Sequence, residues 1–301
     1  MKPMKIIILG KGAWGSALGE VLKDRGHDVG WVEKGGRKIP SGTEMVWIAL
    51  PTQAVRECLQ TLQSFSGKIP VVNLSKGIEI KTGQRVSEIV AQVWPGTPTA
   101  VVSGPSLAGE LNRKMPTAVV AAAVDEGLAS AVQTALHGPA LRVYRSTDPV
   151  GVEWGGALKN VYALAAGMCA GLGLGENSLA GLTTRSLREM TRVAVQFGAR
   201  EETLQGLSGI GDLILTSYSR ASRNRRVGER IGAGDPLEKA LASVEGVCEG
   251  VWTAKALHTL LDQKQVEAPV ARQLYQVLFE GKSPKEGLAS LLDRDSRAEA
   301  E

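Results

Sequence analysis

Aromatic residues make up only 4% of the 301-residue chain, against 36 glycines, which favours close helix and loop packing over a β-sandwich. Cysteine is scarce. Cys58, Cys169 and Cys248 are odd in number and form no CxxC pair, which argues against a disulfide framework. They read as small buried residues in a reducing compartment. The histidines, His27, His137 and His258, are isolated, with no HxxH or carboxylate spacing, so no metal site is expected. Long hydrophobic runs are also missing. The longest apolar stretch, Val161–Gly175, is too short to span a bilayer, so no membrane insertion is expected. "MKPMKIIILGKG" turns at glycines within ten residues, so no cleavable leader is expected and a cytoplasmic location is. A net charge of +4 suits anionic small molecules and falls short of a nucleic-acid binder.

What is present has two halves. Apolar runs at 5–10, 28–32, 45–50, 70–74, 99–102, 117–123 and 141–145 alternate with helical stretches, the pattern of a parallel sheet covered on both faces. After Asp148 the pattern is helical. Asp235 and Ser283 are expected to cap helices, each before a Pro and each with a Glu three residues on. The fold class is thus α/β: a Rossmann-type dinucleotide-binding domain over 1–148, then an all-α substrate-binding and catalytic domain over 149–301. Only eleven residues separate Glu33 from the next strand, too few for a helix and a further strand. The first domain is therefore expected to lack one edge strand.

Gly10-x-Gly12-x-x-Gly15 follows the first strand and opens the first helix. In that order the glycines allow a tight turn, close approach to a pyrophosphate and tight helix–strand packing. Glu33, about 20 residues on, is placed to bind the adenosine ribose hydroxyls. Lys34, Arg37 and Lys38 follow at once and could hold a 2′-phosphate instead, so NAD and NADP both stay open.

Ligands of such sheets bind beyond the carboxyl ends of the strands. Segments 10–15, 50–53, 73–79 and 103–110 should therefore form one pocket, with Lys76, Gly104, Ser106 and Ala108 in it. For Lys76 alone, a solvated loop lysine is an equal alternative. Lys159 lies in an apolar, small-residue helix, which points to a polar pocket more than to snorkelling. Burial there would tune it for proton exchange near neutrality, with Asp212 as its counter-charge. "SRASRNRRVG" (219–228) holds four arginines in seven positions. Ser222 fits an N-cap, so Ser222, Arg223 and Asn224 would surround a single phosphate at a helix start. A nucleic-acid patch would want aromatics to stack on, and only Tyr218 is near.

"GKGAWGSA", "SKGIE", "SGPS", "GGALKNVYALAAG", "GIGDLILT", "SRNRRVG" and "VCEGVWTA" occur in the order found in bacterial-type NAD(P)-dependent glycerol-3-phosphate dehydrogenase, which the chain resembles from Lys5 to about Leu292. The resemblance implies reversible reduction of dihydroxyacetone phosphate to sn-glycerol 3-phosphate for phospholipid synthesis, in a cytoplasmic homodimer. It implies Lys159 as the proton donor and acceptor, assisted by Asp212. Lys76, Gly104, Ser106, Lys159, Asp212, Ser222, Arg223 and Asn224 resemble the substrate contacts. Trp14, Lys76, Ala108, Arg223, Val247 and Glu249 resemble the cofactor contacts, beside Gly10, Gly12 and Gly15. The chain departs from the family in lacking a segment after its second strand and in carrying Glu33 where His or Arg is common. Two rivals remain: a related 3-hydroxy-acid dehydrogenase, which has no use for "SRNRR", and a catalytically silent NAD(P)-responsive regulator.

Overall fold

The apolar runs of the first half pair into one sheet of β1 (Lys5–Leu9), β2 (Asp28–Val32), β3 (Met45–Ile48), β4 (Val71–Asn73), β5 (Thr99–Ser103), β6 (Thr117–Ala123) and β7 (Leu141–Ser146). This computed structural model describes residues 2–32, 35–62, 68–296 and 298–299. The strand order is β2-β1-β3-β4-β5-β6-β7, so the sheet ends at β2 on the side where a further strand was expected to be lacking. Helices α1 (Ala13–Asp24), α2 (Thr52–Thr61), α3 (Val86–Val93), α4 (Ala108–Asn112) and α5 (Glu126–Leu136) connect the strands.

Side chains alternate along each strand and bury on both faces, which explains runs with no polar positions. Ile6, Ile8 and Trp47 pack with Leu18 and Val132 on one face. Ile7, Leu9 and Ile48 pack with Val55 and Ile89 on the other. One expectation fails: β6 runs antiparallel to β5, while the other neighbours are parallel. A parallel return needs a crossover that spans the sheet, and the five-residue α4 is too short to provide one.

The remaining helices are α6 (Pro149–Gly171), α7 (Glu176–Gln196), α8 (Glu201–Leu204), α9 (Asp212–Tyr218), α10 (Arg223–Gly232), α11 (Leu237–Ala242), α12 (Glu249–Lys264), α13 (Pro269–Phe279) and α14 (Pro284–Leu292). Asp148 caps α6 through the Gly151 N–H (2.9 Å) and also accepts from Arg200 N and Thr203 Oγ1. Most of α6 is buried all round, as an apolar helix at the centre of a domain must be. It meets α10 backbone to backbone. A Cβ on Gly167 would sit 2.1 Å from the Arg225 carbonyl oxygen, and one on Gly228 2.1 Å from that of Leu164. That contact sets where the start of α10 stands relative to Lys159.

Ser283 caps α14 as expected, with Glu286 Oε2 accepting from the Ser283 N–H at 2.8 Å. Asp235 does not cap α11. Pro236 takes that position, and the Asp235 carboxylate is held by Lys239 (2.8 Å) and Arg230, whose cations outcompete a neutral N–H.

Candidate active site

Four loops meet at the carboxyl edge of the sheet. Gly10 has φ +104°, and a Cβ there would lie 2.5 Å from the Ala49 carbonyl oxygen, so only glycine fits this turn. Ser75 Oγ donates to the Leu50 carbonyl (2.7 Å), and Gln53 Nε2 to that of Ile78 (2.8 Å). Lys76 Nζ donates to the Gly104 carbonyl at 3.0 Å, and Ser106 Oγ to the same oxygen at 2.9 Å.

The turn fits a dinucleotide. No side chain caps the start of α1, so its first N–H groups are open to an anion. Nothing stands within 4 Å of where a Gly12 Cβ would be, and a Cβ on Gly15 would meet the Gly10 carbonyl oxygen at 2.4 Å. Trp14 and Ala108 pack against the adjoining core, and the buried Trp14 Nε1 has no partner. Val247, half-buried, leads into α12. Glu249, the first residue of α12, reaches across to the sheet half: its Oε1 accepts from the Thr52 N–H at 2.8 Å. Its Oε2 is buried without a partner, and burial raises its carboxyl. Glu33 lies outside the described residues.

Lys159 is 7% exposed. Its Nζ donates to Asp212 Oδ1 (3.1 Å) and Thr216 Oγ1 (2.7 Å). The other carboxylate oxygen, Oδ2, accepts from Lys76 Nζ at 2.6 Å. One carboxylate thus bridges two ammonium groups. Burial pulls Lys159 down to about 8, against the raising effect of Asp212 and with further lowering by Lys76 and Arg223. Burial would raise Asp212, but Lys159 and Lys76 outweigh it and hold the carboxyl below its usual range. A π-helical turn over Leu207–Gly211 delivers Asp212 to this position, and such turns recur at functional sites.

Ser222 caps α10 through the Arg225 N–H at 3.2 Å. Arg223 is exposed beside it and forms no hydrogen bond or ion pair with a described residue. Asn224 is turned inward. Its Nδ2 donates to Asn160 Oδ1 (2.8 Å), and its Oδ1 accepts from Gly250 N (2.9 Å) and Cys248 Sγ. Asn160 Nδ2 in turn donates to the Lys76 carbonyl at 2.8 Å, so the two asparagines tie α12, α10 and α6 to the sheet loop.

Sequence reasoning missed Thr216, Asn160 and Thr52. Thr216 follows Asp212 by four residues on α9, the spacing that stacks side chains on one face, and could have been found from it. Thr52 has no local signal, since its partner is 197 residues away. Among the described residues, no cluster of His, Cys, Asp and Glu could hold a metal ion, and no helix is long and apolar enough to cross a membrane.

A glycerol-3-phosphate dehydrogenase [NAD(P)+] of Chlorobium phaeobacteroides is 40% identical over 332 aligned positions, covering 98% of this chain and 99% of that protein. The chain belongs to the NAD-dependent glycerol-3-phosphate dehydrogenase family. The family's N-terminal and C-terminal models match residues 36–129 and 148–289. The Desulfovibrio desulfuricans glycerol-3-phosphate dehydrogenase is 42% identical, covering 98% of this chain and 99% of its own. A crystal structure of glycerol-3-phosphate dehydrogenase from Coxiella burnetii superposes with a TM-score of 0.91 at 32% identity, covering 97% of this chain and 99% of that one. The 332 positions aligned with the Chlorobium dehydrogenase exceed the 301 residues of this chain, so that relative carries segments absent here.

Proposed function

We infer that the chain reduces dihydroxyacetone phosphate reversibly to sn-glycerol 3-phosphate with NAD(P)H, supplying glycerophospholipid synthesis. The observation that carries this reading is the Lys159 ammonium, buried and brought to about 8 beside Asp212. A lysine so tuned gives or takes a proton close to neutrality. The cofactor, when bound, supplies or accepts the hydride at the carbon that carries the reacting oxygen.

Lys159 hands its proton to that oxygen as it becomes an alkoxide, and takes it back in the reverse direction. Thr216 Oγ1 and Asp212 hold the ammonium in place. After proton transfer Lys159 is neutral, and Asp212 still has Lys76 as a counter-ion at 2.6 Å. The carboxylate is never left buried and unpaired, which would be costly. Arg223 and the first turn of α10, capped by Ser222, take the phosphate, with Asn224 fixing that turn from below. Lys76, Gly104 and Ser106 form the facing wall of the substrate site.

Residues 1–148 hold the dinucleotide through Gly10, Gly12, Trp14, Gly15 and Ala108, with Glu33 at the ribose. Residues 149–301 bring Lys159, the phosphate site and the cofactor contacts Val247 and Glu249. The enzyme works as a cytoplasmic homodimer. Oxidation of NADH and of NADPH by dihydroxyacetone phosphate, followed side by side, tests the reading. Turnover is expected, and the ratio reports whether Glu33 or the basic residues after it govern the ribose. Cofactor binding without turnover would overturn it in favour of an NAD(P)-responsive regulator.

A further inference from the structure

Lys76 lies 136 positions from Asp212, on a loop of the sheet half, so its contact with that carboxylate depends on what fixes the loop. Asn160 Nδ2 holds the Lys76 carbonyl from α6. A second support begins at Glu153, on the second turn of the same helix and 5% exposed. Its carboxylate takes donors from the sheet half alone: Asn73 Nδ2 (2.9 Å), the Ser87 N–H (3.0 Å), Arg85 Nη1 (2.7 Å) and Ser87 Oγ. Asn73 is the last residue of β4, and Arg85 and Ser87 stand at the start of α3.

The amide of Asn73 has two ends that a carboxylate tells apart. A carboxylate only accepts, so Glu153 fixes Nδ2 toward itself and leaves Oδ1 for the loop. That oxygen accepts from the Ser75 N–H at 2.8 Å, the local turn that asparagine favours, and Nδ2 also reaches the Ser75 carbonyl (3.3 Å). Lys76 is the next residue. Its side chain runs beside α6, since a Cβ on Gly156 would stand 3.5 Å from Lys76 Cγ. The contacts thus pass from Glu153 through Asn73, Ser75 and Lys76 to Asp212 and Lys159, and they start and end on one helix.

We propose that Glu153 is a positioning residue for the proton-transfer centre: acting through Asn73, it sets the turn that holds the Lys76 ammonium against Asp212. This role rests on the reading of Lys159 as the proton donor, and it adds a residue that bonds neither Lys76 nor Asp212. The charged groups acting on Lys159 are Asp212, which raises it, and Lys76 and Arg223, which lower it. A Lys76 that leaves Asp212 removes one lowering charge and gives Lys159 the whole carboxylate, so the Lys159 midpoint must rise.

The pH dependence of dihydroxyacetone phosphate reduction by the full chain tests this. Glutamine keeps the shape of Glu153 but offers a single acceptor oxygen to its donors. Glu153→Gln should lower kcat/KM about tenfold, as loss of a charged hydrogen bond does, and move the midpoint above about 8. Asn73→Ala, which cuts the link, should move it the same way, and Glu153→Gln added to Asn73→Ala should move it no further. A midpoint that Glu153→Gln leaves in place overturns the role. So does an equal further rise on the Asn73→Ala background, because loosening and hydration of α6 would act alike in both. If Glu153→Gln fails to fold, an unmoved midpoint in Asn73→Ala overturns the role by itself. A native enzyme that turns over without a midpoint near about 8 would instead remove the reading of Lys159, and the role of Glu153 with it.

Discussion

Asp212 and Glu189 are buried against the same helix, at 1% and 3% exposure, yet their carboxyls move in opposite directions. Asp212 meets two ammonium groups and is held below the carboxylate range. Glu189 meets neutral donors: Tyr162 Oη (3.1 Å), Val270 N (2.9 Å) and Ala271 N (2.8 Å). Burial pushes it up to about 7 despite them. Lys159 and Tyr162 are three residues apart on α6, so one helix gives an ammonium to one acid and a phenol to the other. Desolvation acts on both carboxyls, and the charge of the partner sets the sign. Glu249 extends the comparison: with one N–H partner and one unpartnered oxygen, it is raised by burial as Glu189 is.

The largest effect should come from removing the charged partner. Lys159→Ala is expected to lower kcat/KM for dihydroxyacetone phosphate by about 10³-fold, within the range of general acid catalysis. NAD(P)H binding, followed by fluorescence titration, should persist; its loss would make the lysine structural and end the contrast with Tyr162. Asp212→Asn should cost about 10²-fold and also move a midpoint. With Lys159 as the proposed proton donor, reduction draws on its ammonium form, so the rate should fall as pH rises through about 8, while glycerol 3-phosphate oxidation rises. Without the carboxylate the ammonium loses its main support, and the midpoint should move below about 8 in the pH–rate profile. An unmoved profile would mean that Asp212 does not govern the lysine.

Glu189→Gln probes the neutral side. The Glu189 carboxyl is raised from 4.5 to about 7 in the folded chain. Its contribution to stability is therefore complete below about pH 4.5 and lost as pH rises through about 7. The native Tm should fall relative to that of the glutamine variant across this window, and parallel curves would sink the assignment. Tyr162→Phe should do least. Loss of one of three donors should cost about 1 kcal/mol in urea unfolding and lift the Glu189 carboxyl further.

What was legible in the sequence rests on short spacing. The glycine turn, the strand runs and the Ser222 and Ser283 caps all depend on residues within a few positions of one another. The Lys159–Asp212 pair was also legible, because a lysine inside an apolar helix demands a counter-charge and the second half offers few candidates beside apolar residues. Other features had no such signal. Lys76 shares Asp212 across 136 positions, and Glu249 meets Thr52 across 197. The direction of β6 depended on how far α4 could carry the chain. Asp235 read as a cap because its two cations, Arg230 and Lys239, carry no sequence mark of being nearer than the helix start.

The sequence by itself determined the order of elements, the change from alternating sheet to helices near Asp148, and the residue types able to move a proton and hold a phosphate. These follow from periodicity, capping chemistry and the intrinsic acidity of side chains. Only the tertiary structure decided that one carboxylate serves two lysines, that Asn224 faces inward to Asn160, and that Glu189 accepts its hydrogen bonds from Tyr162 and two backbone N–H groups. Each is set by how α6 packs against α7, α9 and α10, and ionisation inside a protein depends on what packing places within a few ångströms of a group.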